Sequence, residues 1–370
     1  MSGLVDRWLT FRDKLLTSPA FIERAAASPL MRPIARRQAR SLFDMCAGFV
    51  YSQVLLASVR VGLIDAVREC PLDIATLSGR IGLEPDATQR LVDAAVSLDL
   101  LNRRSGGRVG LGMHGAALIA NPGIRALVEH HEVLYRDLVD PVALLRGTRG
   151  ETELSGIWPY ARGKGPDDLT DSDVGDYTAL MSASQTLIAG QILDHYDVSK
   201  HKVLLDVGGG DGTFSCAAAR RAAHLQLMLF DLPPVAERAR QRFASAGLAE
   251  RAKAHGGSFL VDELPRGADI ATLVRVLHDH DDDAVAKILP RVRNCLAPGG
   301  VLLIAEPLAD TSGAEPMGGA YFGFYLMAMG SGKPRSFAEI SRHVIAAGFR
   351  DCQLIKTAMP IQTSLILVRR

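Results

Sequence analysis

The sequence is poor in cysteine, lacks long apolar runs and carries almost no charge imbalance. Its five cysteines, Cys46, Cys70, Cys216, Cys295 and Cys352, are far apart, and no two form a C-x-x-C pair. That spacing argues against a zinc cage and a disulfide framework, and it fits a reducing compartment. No stretch of about 18 consecutive apolar residues occurs, so no membrane-spanning helix is expected. The opening segment MSGLVDRWLTFRDKLL is broken by charge every few positions, unlike the apolar centre of a signal peptide. These features lead us to expect a cytoplasmic protein. Lys plus Arg is 42 and Asp plus Glu is 41, a net charge of +1. That balance argues against a nucleic-acid coat or a polybasic membrane protein.

What is present is ordinary globular material. Hydrophobic residues make up 48% and charged residues 22% of 370. That suffices for a core, argues against large-scale disorder and suggests about two or three domains.

The texture changes along the chain. Residues 1–40 hold eight Lys/Arg against three Asp/Glu, a local charge of +5. Leu4, Trp8, Phe11 and Leu15 recur there at helical spacing. Such a helix either packs on the body or a second subunit, or touches anionic lipid. Residues 41–69 read as one or two buried helices.

In residues 72–112, DIATLSGRIGL, the turn Glu84-Pro85-Asp86 and ATQRLVDAAVSLDLL precede two short runs flanking Ser105-Gly106-Gly107. Helix, turn, helix, hairpin is a winged-helix pattern. A ligand-sensing DNA regulator is therefore a reading to weigh. Asp86 and Asp93 on the second helix would repel phosphate, which favours a structural or dimerising module. Residues 113–200 read as mainly helical, with a polar interruption at 161–176. From residue 201 apolar strands alternate with helices, predicting a doubly wound, mostly parallel sheet that binds ligands beyond the carboxyl ends of its strands.

The strongest chemical signal is Asp206-Val207-Gly208-Gly209-Gly210-Asp211-Gly212, an apolar strand running into a glycine turn and a helix. Glycines allow close approach of backbone to a ligand. A dinucleotide fingerprint needs Gly at 213, where Thr213 stands. The G-x-G-x-G spacing, with Asp206 just before it, better suits a nucleoside bearing an amino-acid tail, whose ammonium Asp206 would hold. Asp231 ends the next strand, where a carboxylate can accept from both ribose hydroxyls. Gly208, Gly210 and Asp231 thus point to S-adenosylmethionine.

His278 opens the run His278-Asp279-His280-Asp281-Asp282-Asp283 after another strand, in a position for general-base work. Consecutive residues rarely converge on one ion, and Asp281–Asp283 sit where a helix starts, so capping is expected there rather than a metal. Glu306 ends the following strand and would either hold the imidazole tautomer and stabilise its cation or lie buried beside a positively charged sulfonium. The segment 317–332 is apolar and aromatic on every helical face, so part of it is expected to wall a greasy pocket. Met181, Phe324 and Met327 are the candidate pocket residues.

DVGGGDG, FDLP, LHDHDD, PGGVLLIAEP and GSGKPRS together resemble the class I small-molecule O-methyltransferases, from about residue 40 to 370. LFDMCAGFVYSQVLLASVRVGL, LYRDLVDPVALLRG, LMSASQ and AYFGFYLMAMGSGKPR look most like the carotenoid hydroxyl O-methyltransferases of photosynthetic bacteria, the hydroxyneurosporene or demethylspheroidene type.

The resemblance implies a helical, winged-helix-like dimerisation domain before a Rossmann-like domain. It also implies a homodimer, S-adenosylmethionine as cofactor and His278 as base. Ser258 and Phe259 match positions that flank the adenine, and Arg275 falls near a basic position that contacts the cofactor. Three departures stand out: Ser258 replaces a usual acid, His280 a usual Trp, and Pro334 a second flanking Glu.

The expected layout is a basic segment 1–40, a dimerisation domain 41–185 and a methyltransferase domain 186–370. The expected activity is methylation of a tertiary hydroxyl on an acyclic hydroxycarotenoid, with an aromatic or polyketide phenol as the alternative acceptor. The expected partners are a hydrophobic small molecule and a second copy, with peripheral membrane contact and no nucleic acid.

Overall fold

A computed structural model describes residues 3–158, 182, 185–360 and 363–370. Met181 and the 161–176 interruption therefore lie outside the described residues. The chain divides into two compact units, Met1–Ala120 and Asn121–Arg370, upstream of the 185/186 boundary drawn from sequence.

The first unit begins with three helices, α1 (Gly3–Leu16), α2 (Pro19–Ala27) and α3 (Arg32–Arg60). The short α4 (Leu63–Ala66) leads into α5 (Ile74–Ile81) and α6 (Pro85–Ser97). Then come a hairpin of β1 (Leu101–Arg103) and β2 (Val109–Leu111), and α7 (Met113–Ala120). The Asp73 carboxylate accepts the Thr76 N–H at 2.8 Å and starts α5, while Gly82 in the left-handed region ends it. Pro85 opens α6. This is the expected helix, turn, helix, hairpin order. Leu63, Ile64, Leu77, Val92, Leu101 and Val109 form its core. Arg103 pairs with Asp93 at 2.5 Å, and Arg104 and Arg108 bond backbone carbonyls of Leu111 and Ser105. The hairpin's arginines are thus committed within their own unit.

The expectation of buried helices over 41–69 is met only from Leu56 onward. Leu42, Phe43, Met45 and Phe49 on α3 are exposed. One stretch of α3 is long and apolar enough to pass a length-and-composition test for a membrane span, and only 17% of it is buried.

The second unit opens with α8 (Pro122–Asp137), α9 (Pro141–Leu145), α10 (Glu153–Ile157) and α11 over residues 185–195. The α/β alternation follows: β3 (Val203–Val207), α12 (Thr213–Arg221), β4 (Gln226–Asp231), α13 (Pro233–Ser245) and β5 (Ala252–Gly256). It continues through β6 (Ala268–Val274), α14 (Asp282–Cys295), β7 (Leu296–Glu306), α15 (Phe322–Met329) and α16 (Phe337–Ala346). The chain closes with β8 (Asp351–Ile355) and β9 (Ser364–Arg369).

The strands form one sheet in the order β5-β4-β3-β6-β7-β9-β8, parallel except for β9, which runs antiparallel to both neighbours. Leu204, Leu205, Ile270, Leu273, Leu302 and Ile304 are fully buried, as a sheet covered by helices on both faces requires. The winding reverses between β3 and β6, so the turn after β3 opens at the switch point where doubly wound sheets take ligands.

Candidate active site

At the end of β3 the chain must turn sharply under a ligand. Gly208 lies at φ 68, and a Cβ there would meet Val276 Cγ2 at 2.8 Å. Gly210, at φ 59, has open space where a Cβ would stand, so its backbone presents an unobstructed face. Asp231, at the end of β4, fixes this turn by accepting the Gly210 N–H at 2.8 Å and the Leu232 N–H at 2.7 Å. Burial pushes its carboxyl up to about 6 despite those two bonds.

Gly208, Gly209, Gly210, Asp231, Phe259 and Arg275 line one cleft that is partly open to solvent. The open backbone at Gly210 and the buried Asp231 carboxylate suit a nucleoside with a ribose diol.

Asp206 has a different place from the one expected. It lies under the turn, 1% exposed, accepting from Ser215 Oγ at 2.8 Å and Thr272 Oγ1 at 2.7 Å. Burial raises it to about 6. It is not among the residues lining the cleft. Its carboxylate is used to brace the turn, because a Cβ-less Gly209 lets the two approach closely.

Ser258 is buried and also off the cleft wall. Its N–H donates to Asp262 at 2.7 Å, and its Oγ accepts from the Leu260 N–H at 3.3 Å. Phe259 does line the cleft, edge-on to His280 at 5.3 Å. Arg275 lies on the wall at φ 57, a left-handed conformation rare for a residue with a Cβ.

His278 follows within a short 3-10 turn, Leu277–Asp279, beyond β6. Its Nδ1 lies 2.5 Å from Glu306 Oε2. The other oxygen of Glu306 accepts the N–H groups of Val276 and Leu277 at 3.0 and 2.7 Å. Glu306 therefore positions both the ring and the turn that carries it. On the opposite side, Asp279 Oδ1 lies 3.1 Å from His278 Nε2. Burial disfavours the charged imidazole, but Asp279 and Glu306 outweigh it and hold His278 above its ordinary value. Burial first, then the charges of His278 and Arg335, push His280 down to about 3.

The side-chain capping expected of the acidic run after His278 is not made, and its carboxylates are used elsewhere. Asp281 stands at the N-cap of α14 without a side-chain capping bond, and it accepts the Gly332 N–H at 3.0 Å. Asp282 takes Lys333 at 2.6 Å and Arg335 at 2.8 Å, partners that hold its carboxyl at about 2. Arg335, 2% exposed, also donates to the carbonyls of Leu277 at 2.6 Å and His280 at 2.7 Å. Lys333 N–H donates to the His278 carbonyl at 3.0 Å. The segment around Pro334 thus clamps the His278 turn through backbone and guanidinium rather than through a carboxylate on the ring.

α15 carries an apolar cluster beside the His278 turn. Phe322 meets His278 edge-on at 5.7 Å. Tyr325, Leu326 and Met329 share its side and are buried with Leu134, Leu154 and Trp158. Phe324 is half-buried against that cluster. Met327 is 38% exposed on the far side of the helix, which corrects its assignment to the pocket wall. Every α15 position is apolar, so sequence gave no phase to choose the inner face, and Phe322 was missed for that reason. Trp158, Gln185, Val274, Val276 and His280 also line the cleft and were not singled out as ligand contacts. Two histidines of α8 bond tyrosines of this cluster: His131 to Tyr321 at 2.8 Å, and His130 to Tyr325 at 3.0 Å. Among the described residues, no group of three or more His, Cys, Asp or Glu is placed to hold a metal ion.

Residues 135–350 match the O-methyltransferase domain family, and residues 43–117 match the O-methyltransferase dimerisation domain. The chain is 43% identical over 358 residues to demethylspheroidene O-methyltransferase of Cereibacter sphaeroides, covering 96% of this chain and 94% of the relative. It is 41% identical over 345 residues to the demethylspheroidene O-methyltransferase of Rhodobacter capsulatus, covering 92% and 85%. Among solved structures, the methyltransferase CalO1 of calicheamicin biosynthesis, in its SAH-bound form, superposes with a TM-score of 0.72 at 25% identity, covering 90% of this chain and 98% of that one. A doubly wound sheet, a glycine-turn cleft beside a buried His–Glu pair, and family matches over both units lead to one conclusion: the chain belongs to the O-methyltransferase family.

Proposed function

We propose that the protein transfers a methyl group from S-adenosylmethionine to the tertiary hydroxyl of an acyclic hydroxycarotenoid. The likeness to two demethylspheroidene O-methyltransferases across most of the chain supports the acceptor class. The observation that carries the chemistry is His278 Nδ1 held at 2.5 Å by a buried Glu306, at the strand end beside the cleft.

Gly208, Gly210 and Asp231 would hold the donor's nucleoside, with Phe259 and Arg275 on the same wall. When bound, S-adenosylmethionine supplies an electrophilic methyl on a cationic sulfur. Glu306 accepts a hydrogen bond from Nδ1–H, so Nε2, which also faces Asp279, is the nitrogen that would take the acceptor's proton. Asp279 and Glu306 together stabilise the imidazolium that results. In the balanced reaction the hydroxyl oxygen bonds the methyl carbon, the carbon–sulfur bond breaks, and the hydroxyl proton passes to His278. A tertiary alcohol is a weak acid, so its proton leaves with or after methyl transfer, and much of the catalysis is positioning. Phe322 at the ring and the apolar cluster of α15 behind it suit a hydrocarbon acceptor.

A homodimer through residues 43–117 would cover the exposed apolar face of α3. A polyene acceptor partitions out of water, so we place the enzyme in the cytoplasm in peripheral contact with a membrane.

The test is turnover of detergent-dispersed 1-hydroxycarotenoid by the wild type and by His278→Ala. The variant should lose about 10²–10⁴ in turnover and keep donor binding. Unchanged turnover would remove His278 from the mechanism.

A further inference from the structure

The methyl-transfer chemistry leaves the N-terminal helix unused. No residue of α1 is buried. Leu4 is 76% exposed, Trp8 60% and Phe11 63%, with Leu15 exposed beside them. At 3.6 residues per turn these four form one stripe. The same geometry puts Arg7 and Lys14 along one edge of the stripe and Arg12 along the other. Asp6 and Asp13 fall on the opposite side. Arg12 lies 5.9 Å over the Trp8 ring and pairs with Asp13 at 2.6 Å, an exposed contact that a lipid phosphate can replace.

We propose that α1 is a docking surface for a membrane bearing anionic phospholipid. Its Leu4–Trp8–Phe11–Leu15 stripe enters the headgroup–acyl boundary, and Arg7, Arg12 and Lys14 meet headgroup phosphates. This deepens the reading that the enzyme works at a membrane, by naming the surface and the lipid class.

Charge complementarity selects this occupant. An apolar stripe edged by cations, with acids turned away, is the layout of an interfacial helix. Residues 1–40 carry +5, whereas the whole chain carries +1. Two copies joined along this stripe would bring cation against cation, with both acids on the far sides. The matched dimerisation domain also begins at residue 43, downstream of α1 and α2. The tryptophan and phenylalanine suit the membrane interface, and each basic residue adds about fivefold to partitioning onto an anionic surface.

The experiment is co-sedimentation of the full chain with vesicles of phosphatidylcholine alone or mixed with phosphatidylglycerol. It is repeated for Trp8→Ser/Phe11→Ser and for Arg7→Gln/Arg12→Gln/Lys14→Gln. All five side chains are at the surface, so both variants should fold, and circular dichroism checks that they do. We expect binding to the mixed vesicles that falls with added salt and is lost in the aromatic variant. The basic variant should bind about 100-fold more weakly.

Equal binding to both vesicle types, binding unaltered in either variant, or no vesicle binding would overturn the proposal. So would a dimer-to-monomer shift of the aromatic variant in light scattering, which would assign the stripe to a second copy. Turnover of detergent-dispersed acceptor is measured in parallel. The aromatic variant should keep it, and failure of the wild type there counts against the assigned reaction rather than against docking.

Discussion

Glu306→Gln isolates the carboxylate's effect on the base. In the wild type one oxygen accepts the Val276 and Leu277 N–H groups at 3.0 and 2.7 Å, and the other holds His278 Nδ1 at 2.5 Å. Glutamine has one acceptor oxygen. If it keeps the two backbone bonds, its NH₂ group faces Nδ1. The ring then carries its proton on Nε2 and cannot take one from the acceptor. If the oxygen turns to Nδ1 instead, two buried N–H groups lose their partner, which costs about 1–3 kcal/mol each.

The backbone bonds should therefore win. Turnover is expected to fall by about 10²–10⁴, or about 3–5.5 kcal/mol of transition-state stabilisation. The pH profile gives an independent sign. Glu306 is one of the groups that raise His278, and the base works only when neutral. Removing the charge lowers the imidazole's pKa, so the alkaline-rising limb of kcat/KM moves to lower pH. Donor affinity should stay within about threefold, since Glu306 does not line the cleft. A variant that keeps wild-type turnover with an unmoved profile would refute the assigned dyad.

Other expectations follow from the same geometry. Asp231 titrates near 6, and only its ionised form accepts from two ribose hydroxyls. Donor affinity measured by calorimetry should therefore weaken as pH falls through about 6, and Asp231→Asn should bind weakly with a flat profile. Gly208→Ala meets Val276 at 2.8 Å in a left-handed conformation and should lose about 1–3 kcal/mol of stability in a denaturant melt. Gly210→Ala meets no neighbour, so it should melt closer to wild type and lose donor affinity instead. Arg335→Met removes the donor to two carbonyls flanking His278; a drop of about 2–4 kcal/mol in stability together with reduced kcat is expected.

The sheet and the winged-helix order were legible in the sequence because their signals are local. Apolar runs ending in glycine or acid mark buried strands, and Asp73, Pro85 and Gly106 punctuate the helices and hairpin. Glycine turn, Asp231 and the His278–Glu306 pair were legible because strand ends in a doubly wound sheet converge on one edge.

What escaped was set by distant packing. The Arg335 clamp spans more than fifty residues and has no local signature. Asp206 sat in a motif that names a ligand contact, yet Ser215 and Thr272 on other elements take its carboxylate. Exposure of α3 was hidden because its apolar pattern suits a partner surface as well as a core.

The central claim is the acceptor class. Its most direct test is one incubation series with methyl-labelled S-adenosylmethionine, offering detergent-dispersed 1-hydroxycarotenoid in one tube and a catechol-type phenol in the other. Label is expected in a carotenoid methyl ether, with little in the phenol. Label confined to the phenol would contradict the carotenoid assignment while leaving the His278–Glu306 chemistry in place.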